Sequence, residues 1–318
     1  VLTIGSFDGV HQGHAALIAA AKALAAPHRA RVVAMAFDPH PLTALNPPSA
    51  PGRLTTWPQR QRLLLAAGAD EVVRLPPSPA MLALTAEEFV AHIVRDQRPL
   101  AIVEGPDFRF GRARAGDNAM LAALGQRHGF AVRVLEPVEA TLDDHSVVTV
   151  SSSLTRWLLR QGRVRDAWRL LARPYTLVGE IVRGDRRGRT IGFPTANIHT
   201  PLMLPGDGVY AARAVLDDAR VFPAAVNIGP RPTFPDAPPS VEAHLILPTP
   251  DAHAPWAPIE GLPEYGWSIR LELCAFLRDQ AKFPGLPALR AQLARDVDRA
   301  RTLAGAAPDL IPSAEAHA

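Results

Sequence analysis

The sequence predicts an α/β domain with a doubly wound parallel sheet, followed by a small antiparallel β-barrel that ends in a helix. Three observations carry this. From residue 1 to about 138, short apolar runs alternate with helical patterns, the mark of parallel β-α-β units. After Pro174, β-branched runs are broken by Gly and Pro with no helices between them, which reads as a small barrel. The 318 residues, 47% hydrophobic and 20% charged, are enough for two cores.

In chain order, VLTIG reads as the first strand, residues 11–26 as a helix, RVVAMAF as a strand, and residues 59–67 as a helix stopped by Gly68. EVVRLP follows, then a helix from about Thr85 with Glu88 placed for a capping box. LAIVEG, a helix over 118–128 and FAVRVLEPV complete the sheet. Two helical stretches, SSSLTRWLLRQG and VRDAWRLLARP, close this half, the first with serines where an N-cap is wanted. The barrel strands are YTLVGEIVRG, GVYAARAVL, VFPAAVNIG, VEAHLIL and SIRLELCAFL. The last helix, 286–303, sets Leu289, Leu293 and Val297 on one face to pack on the barrel. Residues 248–263 are proline-rich and read as a long loop. The expected divisions are 1–172, 173–305 and a disordered tail over 306–318.

A net charge of +3, with a pI of about 9.5, comes without a basic tail or stripe, so nucleic acid is not the expected partner. Cys274 is the only cysteine, which excludes an intramolecular disulfide and a multi-thiolate zinc site and fits a reducing cytoplasm. In an apolar strand it reads as a packed residue rather than a nucleophile. No apolar run approaches a membrane span, and no secretory signal pattern opens the chain. Val1 already lies in a strand, so native residues are expected upstream. The sequence leaves a homo-oligomer open.

GSFDGVHQGH, residues 5–14, falls at the turn after the first strand, a favoured ligand position in an open parallel sheet. His11 and His14 share one face of a first helical turn, where free N–H groups and the helix dipole favour anions. Gly13 between them lets a phosphate approach the backbone. The stretch is suited to a triphosphate, the imidazoles donating as charge develops at the attacked phosphorus; taken alone, it also fits two solvent-facing histidines. In VSSSLTRW, the serines (Ser152 among them), free N–H groups and Arg156 form a second phosphate clamp, or a capped helix with a surface arginine.

The combination resembles the nucleotidyltransferase superfamily. With AFDPHP at 36–41 and EGPDFRFGRARAGD at 104–117, it closely resembles the FMN adenylyltransferase module of bacterial riboflavin kinase/FAD synthetases. The resemblance implies that Ser6, His11 and His14 contact ATP phosphates, that Ser152 and Arg156 close on the same group, and that Asp38, Asp107, Phe108 and Arg109 surround the FMN and nucleotide pocket. Ser6 stands where the family has asparagine, and Ser153, Leu154 and Thr155 replace the family's Thr, Arg and Ile.

In GDRRGRTIGFPTANI, residues 184–198, Gly184 and Arg189 belong to a stretch suited to a mobile loop over phosphates. Thr195 and Asn197 then offer oxygens on alternate positions of an extended segment. Such neutral donors with substrate phosphates suit Mg²⁺. This run resembles the signature of riboflavin kinases, as do GVYAARA, NIGPRPTF and VEAHLI. Kinase chemistry requires a base near the ribityl 5′-hydroxyl, and the resemblance gives that role to Glu242. His244 reads as its structural partner. By the same resemblance Arg278 and Phe283 border the flavin; the family's Asp-Phe after the VExHL strand is absent, and 248–263 looks like an insertion.

The expectation is therefore a cytoplasmic bifunctional transferase that uses ATP and Mg²⁺ to phosphorylate riboflavin to FMN and to adenylylate FMN to FAD, releasing pyrophosphate. Two other readings stay open: a riboflavin kinase with an inactive N-terminal domain, and a flavin- or nucleotide-binding protein without turnover.

Overall fold

The computed structural model describes residues 1–184, 186–230, 240–248 and 259–305. Contacts divide the chain into two compact units: residues 1–141 with 146–152, and 142–145 with 153 onward. The expected tail, most of the proline-rich loop, and Arg231 to Phe234 of NIGPRPTF lie outside the described residues.

The first unit runs β1 (Leu2–Gly5), α1 (Gln12–Ala25), β2 (Val33–Phe37), α2 (Leu42–Leu45), α3 (Trp57–Ala66), β3 (Glu71–Leu75), α4 (Pro79–Ala83), α5 (Ala86–Gln97), β4 (Ala101–Glu104), α6 (Asn118–His128) and β5 (Ala131–Val134). The five strands are parallel in the order β3-β2-β1-β4-β5. Alternation along them feeds two cores. Leu2, Ile4, Val33 and Met35 pack against Phe89, Val90 and Ile93 of α5 and Leu121 and Leu124 of α6. The intervening Ala34 and Ala36 join Ile18 and Ala21 of α1 and Leu64 of α3. Helices on both faces make the sheet doubly wound, and the strand order reverses between β1 and β4, where such sheets open a ligand crevice. The capping boxes Thr56–Gln59 and Thr85–Glu88 start α3 and α5. A hairpin, β6 (Glu139–Thr141) and β7 (Val147–Thr149), was not expected from sequence; at three residues each, its strands fall below a readable period.

Besides residues 142–145, the second unit holds α7 (Ser152–Arg160), apart from its first residue Ser152, and α8 (Val164–Leu171). From residue 153 these helices cluster with the barrel rather than with the parallel sheet; α8 packs on β8 (Tyr175–Val182) and β13 (Ser268–Arg278). The expected division at 172 thus differs from the contact-based one at 152. Between β8 and β13 lie α9 (Arg187–Thr190), β9 (Ala196–His199), β10 (Gly208–Leu216), β11 (Val221–Gly229) and β12 (Ser240–Leu245). The barrel closes in the order β10-β11-β12-β9-β8-β13. One face of its wall buries Tyr210, Ala212, Val226, Ile228, Val241 and Ala243. On the other, Val209, Ala211 and Ala275 meet Ala300 and Val297 of the terminal helix α10 (Leu286–Gly305). Cys274 is half-buried on β13 rather than in the core; burial raises its thiol pKa to about 11, which leaves it protonated and unsuited to nucleophilic attack.

Candidate active sites

In the first unit the loops after β1, β2 and β4 all leave the carboxyl edge of the sheet. The turn after β1 is tightly wound: Phe7, Gly9 and Val10 have φ of 48°, 87° and 42°. Positive φ at a β-branched valine is strained backbone, costing about 1–3 kcal/mol per residue. It is held by the Val10 N–H on the Phe7 carbonyl, by burial of both side chains, and by Ser152 Oγ donating to the Asp8 carbonyl at 2.6 Å. Ser6 is half-buried at the start of this turn.

His11 is the N-cap of α1, its Nδ1 accepting from the His14 N–H at 3.4 Å. An Nδ1 that accepts leaves Nε2 to carry the ring proton and donate. The two imidazoles stack at 3.6 Å with 18° between planes, and Phe7 closes edge-on against His14 at 5.1 Å. Gly13 makes room for this: a Cβ there would sit 3.1 Å from the His11 ring. A pair of stacked imidazoles at a helix N-terminus can donate to phosphate oxygens.

Asp38, 1% exposed at the end of β2, meets Arg74 at 2.5 Å, Arg60 at 3.5 Å and Arg53 at 3.7 Å. In the loop after β4, Phe108 stacks on the buried Phe110, while Asp107 and Arg109 stand exposed. Paired N–H···O bonds between Phe110 and Gly116 close this loop, and the Asn118 amide donates to the Gly105 and Pro106 carbonyls. Arg156, 6% exposed on α7, belongs by contacts to the second unit.

In that unit, ladder register sets one row across four strands: Val209, Asn227, Glu242 and Asn197. Directly opposed residues share a face, about 5 Å apart at Cβ, so Glu242 is flanked by two carboxamides. Among the described residues its side-chain carboxylate has no hydrogen bond or ion pair, which leaves that half-buried group available. Gln280 Nε2 donates to Asn227 Oδ1 at 3.0 Å and to the Ile228 carbonyl at 3.3 Å. Asn197 is 8% exposed, and a Cβ at Gly184 would fall 2.0 Å from its Nδ2; only glycine lets the chain pass there. Thr195 stands exposed just before β9. His244 Nδ1 faces the Pro194 carbonyl at 2.7 Å and its ring packs on Phe193, so it braces the segment carrying Thr195; burial lowers its pKa.

Arg189 is held by Glu264 at 2.5 Å, beside Arg186, which also reaches Tyr265. Arg278 grips the buried Asp296 through Nε and Nη2 at 2.7–3.1 Å, and its guanidinium lies 5.7 Å from the Phe283 ring centre. That grip ties β13 to α10.

Residues 1–153 match the FAD synthetase family and residues 171–304 the riboflavin kinase family. A bifunctional riboflavin kinase/FMN adenylyltransferase of Escherichia coli is 35% identical over 309 residues, 96% of this chain and 93% of the relative. The chain belongs to the bifunctional riboflavin kinase/FMN adenylyltransferase family. The same-named protein of Pseudomonas fluorescens is 33% identical over 96% of this chain and 93% of its own. A crystal structure described as a macrolide-efflux protein from Streptococcus pneumoniae superposes with a TM-score of 0.80 at 28% identity, covering 94% of this chain and 93% of its own. Among the described residues no helix is long and apolar enough to cross a membrane.

Sequence reasoning missed four residues at these transferase sites. Asp8 and Arg60 tie the turn after β1 to the loop before α3, and Asn227, held by Gln280, stands opposite Glu242 in the barrel ladder. Asp8 sits inside the GSFDGVHQGH motif and Asn227 inside NIGPRPTF, so both were within reach of a motif reading. Gln280 lies between Arg278 and Phe283 in a stretch the resemblance covers, whereas Arg60 lies in no motif, and only the folded chain brings it in.

Proposed function

We propose that each unit of this bifunctional transferase carries one of its two reactions at its own site. The observation that carries this reading is the sorting of the two constellations: the stacked imidazoles lie in the unit matched to FAD synthetases, and the available carboxylate of Glu242 lies in the barrel matched to riboflavin kinases.

In the barrel, Glu242 accepts the proton of the riboflavin 5′-hydroxyl as that oxygen attacks the γ-phosphorus of ATP, a role worth about 10²–10⁴ in rate. Asn227 and Asn197 stand opposite Glu242 on the neighbouring strands. Among the described residues no group of three or more His, Cys, Asp or Glu could hold a metal, so the fitting donors are the neutral oxygens of Thr195 and Asn197, the latter wedged against Gly184. Neutral donors plus phosphates suit Mg²⁺, which when bound offsets charge on the β- and γ-phosphates. Arg189, on α9 and paired with Glu264, and Gly184, packed on Asn197, belong to the segment that lies over the phosphates, and Arg278 and Phe283 border the isoalloxazine.

In the α/β unit the FMN phosphate attacks the α-phosphorus of ATP and pyrophosphate leaves. His11 and His14 donate to the phosphate oxygens, with Ser6, Ser152 and the Gly13 backbone alongside; Asp38, Asp107, Phe108 and Arg109 line the flavin side. Neither step needs a covalent intermediate, since positioning and charge stabilisation carry phosphoryl and nucleotidyl transfer. The lone cysteine supports a cytoplasmic location.

The test is to incubate the protein with ATP, Mg²⁺ and riboflavin, and in parallel with FMN in place of riboflavin, and to separate the flavins by chromatography. FAD is expected in both. FMN in the first with FAD in neither would leave only the kinase, and no flavin conversion would leave a binding protein.

A further inference from the structure

One heavily tied group beside the loops of the first unit takes no part in the proposed chemistry. Arg60, on α3, has a side chain only 3% exposed. Its Nη2 donates to Asp8 Oδ1 at 3.2 Å and to the Thr55 carbonyl at 3.3 Å, its Nε to Thr55 Oγ1 at 3.3 Å, and its Nη1 to the Phe37 carbonyl at 3.0 Å. Nη1 also lies 3.5 Å from Asp38. Asp8 completes the knot by accepting from the N–H groups of Leu54 and Thr55 and from the Thr55 hydroxyl at 2.9–3.0 Å. The Gly9 N–H in turn donates to Thr55 Oγ1.

One guanidinium therefore ties three segments: the turn after β1 that ends in His11 and His14, the end of β2 that carries Asp38, and the loop 53–56 that leads into α3. Burial lowers its pKa, while the carboxylates of Asp8 and Asp38 act to keep it charged. Arginine suits the place because its planar fork serves several acceptors at once, which a lysine ammonium cannot match.

We propose that Arg60 is a positioning residue for FMN adenylylation: it sets the triphosphate turn and the flavin-side Asp38 in register, so that the FMN phosphate and the α-phosphorus of ATP meet in line. The inference rests on placing adenylyl transfer in the first unit. A shift of about 1 Å in such a pair loses on the order of 100-fold in rate while leaving each substrate able to bind. Arg60 touches neither substrate; it acts through Asp8 and Asp38.

The test compares R60K and R60M with the parent chain. FAD formation is followed with FMN and ATP each varied, riboflavin phosphorylation is measured in the same preparations, and folding is checked by thermal unfolding. The expected result is a fall in kcat for FAD formation of at least tenfold in R60M, with KM for ATP changed less than threefold, partial recovery in R60K, and kinase turnover within twofold of the parent. FAD formation within twofold of the parent in folded R60K and R60M overturns the proposal. So does a loss matched by an equal loss of folded protein, with kcat per folded molecule unchanged. Should R60M not fold, R60K decides, because a folded R60K with parental kinetics shows that the fork is not needed. If H14A retains FAD formation, the site assignment fails instead, and that outcome is separate from any result at Arg60.

Discussion

At the scale of single residues, the two glycines that touch functional side chains make sharp predictions. A methyl group at Gly184 would fall 2.0 Å from the Asn197 amide, and nothing in a buried, strand-held asparagine can yield that far. G184A should lower riboflavin phosphorylation at least tenfold and cost about 1–3 kcal/mol of stability in the barrel unit through overpacking, with FAD formation from supplied FMN retained. Parallel assays of the two reactions with a melting curve check this. Gly13 differs. Its added Cβ would meet the His11 ring at 3.1 Å, which a small ring displacement can relieve, and alanine is the better helix former. G13A should therefore keep or slightly raise the melting temperature while cutting FAD formation several-fold. An activity loss accompanied by a lower melting temperature would argue that Gly13 serves the fold instead.

At the scale of elements, the junction of β1 with β4 is unusual. The two strands share a single register pair, Leu2 with Ile102; beyond it the Ile4 N–H donates to the Glu104 carboxyl at 2.7 Å, so a side chain takes the place of a ladder bond. Burial pushes the Glu104 pKa well above the usual carboxylate range, and the Ile4 N–H acts against it. The sign follows: the folded chain holds a proton that the unfolded chain has released, so the stabilising contribution is complete below the unfolded pKa near 4.5 and is lost as pH rises toward the folded value. Over that window E104Q, neutral at every pH, should remove a slope of up to about 1.4 kcal/mol per pH unit. Urea unfolding of the first unit between pH 4 and 8 measures it, and equal slopes in the two chains would contradict the reading. No sequence pattern announces this: Glu104 ends an otherwise apolar run, AIVE, and only strand order tells which backbone it faces. The opposite holds for Thr85–Glu88 and for the strands of the sheet, whose local spacing is itself the physical cause of the structure. GFPTANI was legible as extended with Thr195 and Asn197 alternating, but the row Asn227–Glu242–Asn197 requires register, which is set by closure of the barrel and not by any one strand.

At the scale of the whole molecule, two compact units with separate cores carry two constellations that share a co-substrate and no residue. The motifs for both were readable because each is local in sequence. The grouping of α7 and α8 with the barrel was not, since their strongly amphipathic pattern says that one face is buried without saying against what. Separate sites predict that damage to one reaction leaves the other intact, and the measurement that tests this most directly is a cross-comparison of H14A and E242A in both assays. H14A should lose FAD formation from FMN by about 100-fold or more while phosphorylating riboflavin at the parental rate, and E242A should lose FMN formation while still adenylylating supplied FMN. Loss of both activities together in either folded variant would contradict the division of labour.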